Sequence, residues 1–68
     1  MERKKFQFFS CNSYNEKSKM IYEGWYTEHE MEILSIGLAI GLRQHHKGAF
    51  VRVYEEIDGI SHLIRVQR

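Results

Sequence analysis

The sequence predicts an α+β domain in which a mostly antiparallel four-stranded sheet carries one central helix, in the order ββαββ. Three observations predict it. From Thr27 to Lys47 apolar residues recur at helical spacing, between a capping signal and a glycine. Two β-rich segments, Lys5–Cys11 and Lys19–Tyr26, precede that run, and two more, Ala49–Ile57 and Ile60–Gln67, follow it. The last two are joined by Asp58-Gly59, a strong hairpin signal. At 68 residues the chain has room for a single domain, 1–68.

The first strand is rich in phenylalanine, at Phe6, Phe8 and Phe9. Turn-forming residues from Asn12 to Ser18 predict a loop, and Ile21, Tyr22, Trp25 and Tyr26 mark the second strand. A loop at Asn15–Ser18 places Phe8 opposite Trp25 and Phe9 across from Gly24, where an aromatic ring covers bare backbone.

The helix is predicted over about residues 28–46. Thr27-Glu28-His29-Glu30 matches a capping box, and Tyr26 and Met31 stand where a hydrophobic staple places them. Glu28, Glu30 and Glu32 put negative charge at the positive end of the helix dipole. Arg43, His45, His46 and Lys47 put basic groups at the other end, and Gly48 stops the helix. In the final hairpin a two-residue turn predicts Ile57 opposite Ile60, Glu55 opposite His62, Val53 opposite Ile64 and Val51 opposite Val66. The other face then pairs Tyr54 with Leu63, Arg52 with Arg65 and Phe50 with Gln67.

The helix has more apolar surface than one small sheet needs. At about 100° per residue, Met31, Leu34, Leu38 and Leu42 gather on one face and Ile33, Ile36 and Ile40 on the other. Gly37 and Gly41 lie along the edge between them. Each interior glycine costs about 0.8–1.0 kcal/mol relative to alanine. Each isoleucine returns at most roughly 1.5–3 kcal/mol if something covers it. Two arrangements satisfy this pattern. Either another chain covers the second face, with Ile33, Ile36, Gly37, Ile40 and Gly41 as the interface, or the chain's own strands clasp the helix and the glycines let it lie close to the sheet.

Composition narrows the function classes. Ten basic residues against nine acidic ones give a net charge of +1, which argues against an acidic DNA mimic and leaves only local basic patches for nucleic acid. Cys11 is the only cysteine, so an intramolecular disulfide is impossible. That cysteine usage, with no signal-peptide pattern, predicts a cytoplasmic setting. The apolar run Ile33–Leu42 falls well short of the roughly 20 residues needed to cross a bilayer, so no membrane association is expected. A domain this small is marginal without staples, and oligomerisation is the simplest added source of stability.

No catalytic set, metal site or cofactor motif emerges. His29-Glu30-Met31-Glu32 is followed by Ile33 and so lacks the second histidine of the zinc-protease pattern. His45 and His46 are adjacent and diverge on a helix. Glu55 and His62 read as a cross-strand polar pair, and Cys11 as an inert thiol. Arg52 and Arg65, flanked by Phe50 and Tyr54, form a candidate patch for an anionic partner or a nucleic acid. Arg43 and Lys47 at the helix end, together with Arg3, Lys4 and Lys5, add basic groups. The bland alternative is a solvated sheet face and a helix end that complements its own dipole.

In size and element order the chain resembles small proteins of phages and mobile elements, many of which bind and block host enzymes. The leading expectation is a non-catalytic homodimeric binding protein that regulates or inhibits a further protein by contact. The second is a small nucleic-acid-binding module that uses the Arg/Tyr sheet face and the basic helix end.

Overall fold

A computed structural model describes residues 2–12 and 15–68, with the elements β1 (Lys4–Asn12), β2 (Asn15–Tyr26), α1 (Glu28–His45), β3 (Phe50–Ile57) and β4 (Ile60–Gln67). The ββαββ order is as predicted. The strands lie in the order β2-β1-β3-β4, and every neighbouring pair is antiparallel. β2 and β3 therefore run parallel to each other with β1 between them, and α1 crosses over β1 to connect them.

Alternation along the central strands sets the core. Phe6 and Phe8 of β1 and Val51 and Val53 of β3 point to the helix and are fully buried. Met31, Ser35 and Ala39 face them from α1, with Leu34, Leu38 and Leu42 half-buried at the margin. Ser35 and Ala39 are the small residues that bring the helix onto the sheet. The buried Ser35 hydroxyl donates to the Glu32 carbonyl at 2.8 Å, so its polarity is satisfied.

Both helix ends follow local chemistry. The Thr27 hydroxyl accepts from the Glu30 N–H at 3.2 Å, and the Glu30 carboxylate accepts from the Thr27 N–H at 2.9 Å. That bond holds the Glu30 carboxyl below its usual range. His46 caps the C-terminus with its N–H on the Leu42 carbonyl, and Gly48 turns the chain into β3 with φ of 86°. Asp58 and Gly59, at φ of 53° and 79°, form the tight β3–β4 turn, since both central residues have positive φ.

Two predicted registers are corrected. β2 begins at Asn15, so residues 15–18, read as loop, continue the strand. Residues 13 and 14 of that predicted loop lie outside the described residues. Phe8 consequently pairs with Tyr22, Phe6 with Gly24 and Lys5 with Trp25. The ring over Gly24 is Tyr26, not Phe9: a Cβ at residue 24 would stand 2.8 Å from it.

The second correction lies between β3 and β4. Pairing starts as predicted, with Ile57 opposite Ile60, Glu55 opposite His62 and Tyr54 opposite Leu63. A bulge then leaves Ile64 unpaired, so Val53 faces Arg65, Arg52 faces Val66 and Val51 faces Gln67. A one-residue slip moves every later side chain to the other face. Strict pairing would set two guanidinium groups opposite each other, which destabilises a sheet. The bulge separates them and brings Arg65 within 3.9 Å of Glu32 on α1.

Candidate interaction site

The helix face turned away from the sheet is left open by its own chain. Ile33, Ile36 and Ile40 are 58%, 42% and 57% exposed. Gly37 and Gly41 are exposed as well, and a Cβ added at either meets nothing within 4 Å. The chain therefore does not clasp the helix on both sides, and the glycines do not serve its approach to the sheet. Beside them an apolar cleft of about 270 Å³ is lined by Tyr26, Glu30, Ile33 and Leu34.

Tyr26 shapes one wall of this region. Its ring stacks on Tyr22 at 6.2 Å and meets Phe8 edge-on at 6.2 Å. Hydrogen bonding with Tyr22, with burial second, raises the Tyr26 phenol above its usual value. The absence of a side chain at Gly24 is what allows the ring to fold back along its own strand.

The predicted anionic-partner patch is not assembled as read. Arg52 and Tyr54 share the sheet face opposite α1, whereas Arg65 lies on the helix side, bonded to Gln67 at 2.7 and 3.1 Å. Arg43 and Lys47 sit at the exposed C-terminal end of α1, and β3 starts three residues beyond Lys47, at Phe50. Arg3 and Lys4 belong to the opposite end, where they pair with Glu30 at 3.5 Å and Glu28 at 3.1 Å. The Lys4 ammonium is raised above its usual value, chiefly by its hydrogen bond to Glu28 and the charge there.

The chain matches no family model, no curated protein and no solved structure. The site is therefore built from this molecule's own residues. Lys5 lies 3.3 Å from Glu56 and 3.8 Å from Glu23, and the Gln7 amide donates to both carboxylates at 3.3 and 2.8 Å. Ser61 completes this polar cluster by donating to the Gln7 carbonyl at 2.7 Å. Farther along the same sheet face, Phe9 and Tyr54 meet edge-to-face at 5.1 Å, and Arg52 and Arg68 lie 5.6 and 4.8 Å from the Phe50 ring. Arg68 was not anticipated from sequence, because the Ile64 bulge that redirects the end of β4 has no local signature.

Glu55 and His62 are register partners, yet no hydrogen bond or ion pair joins them. Cys11 is a buried free thiol. Among the described residues no group of three His, Cys, Asp or Glu side chains is placed to share a metal ion. No helix there is long and apolar enough to cross a membrane.

Proposed function

We propose that this chain is a non-catalytic binding protein that pairs with a second copy of itself through the outward face of α1. In this reading it acts on a further protein by contact, as a regulator or inhibitor. One observation carries it: Gly37 and Gly41 border open space beside three exposed isoleucines. Two helix-interior glycines are a standing cost of about 0.8–1.0 kcal/mol each, and the fold draws no benefit from them. Close approach of another helix supplies that benefit.

The occupant is argued from self-complementarity. The helix is acidic in its first turn, through Glu28 and Glu30, which also pair with Lys4 and Arg3, and basic in its last, through Arg43 and His45. Two copies packed antiparallel place each acidic turn beside a basic one, which a two-fold axis permits. If they cross at Gly37, Ile33 of each helix falls over the partner's Gly41, an apolar knob in a hole left by a missing side chain. The unusual residues lie on an open convex surface and not around an enclosed pocket, which favours contact over chemistry as the activity.

Light scattering at micromolar concentration tests the reading. A dimer that becomes a monomer on Ile36→Glu is the expected result. A monomer whose mass and stability are indifferent to Ile36→Glu removes the proposal. Circular dichroism of the variant separates dissociation from unfolding.

A further inference from the structure

We propose that the face of the sheet opposite α1 carries a second site, which binds single-stranded nucleic acid at the end formed by Phe9, Phe50, Arg52, Tyr54 and Arg68. It does not depend on the outward face of α1, which lies on the other side of the molecule.

The argument starts from how the cations are used. Arg3, Lys4, Lys5 and Arg65 each have a carboxylate partner. Arg52 and Arg68 have none among the described residues. Both instead lie against the ring of Phe50, at 5.6 and 4.8 Å. Among the described residues, the acids on this face, Glu23 and Glu56, are held at the far end by Lys5 and Gln7, where the one ammonium offsets one of the two carboxylate charges. Among the described residues, the near end keeps the Arg52 and Arg68 guanidinium groups and aromatic surface with no carboxylate side chain paired to them.

Position reinforces the charge. Phe9 of β1 is in register with Arg52 of β3, so the rings occupy the two central strands, and Arg68 joins them from the end of the edge strand β4. The basic end of α1 lies at the same end of the molecule. There His46 and Lys19 line a cleft with Ser10, Cys11 and Leu42 on the helix side of the sheet, across from the platform. A strand crossing the platform meets aromatic rings for its bases and guanidinium groups for its phosphates. That combination suits a flexible single strand, because every base offers a stacking face and the backbone follows the charge. A duplex hides its bases, and an acidic peptide has no use for the rings.

Fluorescence anisotropy with labelled single-stranded oligonucleotides of mixed sequence tests the site, using DNA and RNA strands, the matching duplex and polyglutamate. Binding to a single strand is expected at about 50 mM salt, weakening steeply as salt rises. Arg52→Gln with Arg68→Gln should weaken it at least about tenfold and flatten the logarithmic salt slope by about 1.4. Phe50→Leu keeps apolar bulk and should weaken binding about fivefold or more, with the salt slope unchanged. Binding of polyglutamate equal to that of the oligonucleotide overturns the proposal in favour of an acidic protein partner. Absence of single-strand binding at low salt, or binding untouched by the double arginine substitution in a folded variant, overturns it outright.

Discussion

Arg52 and Arg65 occupy opposite faces of the sheet, although an uninterrupted β3–β4 hairpin would place them side by side. The extra residue that separates them is Ile64, on an edge strand where bulges are common. Arg65 is thereby turned toward Glu32, and Arg52 is left beside Phe50.

Deleting Ile64 should remove the bulge and keep the later pairs, with Arg65 still opposite Val53 and Val66 still opposite Arg52. No like charges are brought together and the strand ends keep their partners, so the change should stay within about 1 kcal/mol. Arg65→Ala should cost less than about 1 kcal/mol, since its pair with Glu32 is partly exposed. Urea unfolding of the two variants gives the comparison.

Gly24→Ala should destabilise the fold by about 1 kcal/mol, because a new Cβ pushes the Tyr26 ring off its position beside Tyr22. In a Tyr26→Ala background the same change should be neutral or stabilising, since glycine inside a strand is unfavourable once nothing needs the space. A double-mutant cycle measures the coupling.

Thr27→Ala should cost about 1 kcal/mol through loss of the helix cap. Glu30 adds a pH signature. Its folded pKa lies below the ordinary 4.5, so its contribution is present above that value and is lost as pH falls through the lower folded value. Glu30→Gln keeps an acceptor for the Thr27 N–H and should flatten this acid limb of the stability profile. Stability measured from pH 5 downward, by roughly two units, should show the difference.

Much of the fold was legible because local signals agreed with one another. Thr27 and Glu30 announce the helix start, Gly48 its end and Asp58-Gly59 the last turn, and each is satisfied in the structure. Register was less legible. The β1–β2 register that sets Asn12 opposite Asn15 and the Ile64 bulge are settled by pairing across strands, and such contacts leave little trace in the chain itself. The separation of Ile33, Ile36 and Ile40 from the leucines was visible in helical periodicity. That Ser35 and Ala39, and not the glycines, seat the helix on the sheet was not. Periodicity places these four small residues on different sides without saying which side meets a neighbour.

The most direct measurement combines folding stability with mass for Gly37→Ala/Gly41→Ala. Neither methyl group meets an atom of its own chain, so the substitutions should raise helix stability by up to about 1 kcal/mol each when measured on the monomer. Sedimentation equilibrium should show a wild-type dimer and a weaker association in the double variant: a more stable fold that pairs less well. A wild-type chain that stays monomeric at all concentrations, with a variant that is simply more stable, would contradict the account.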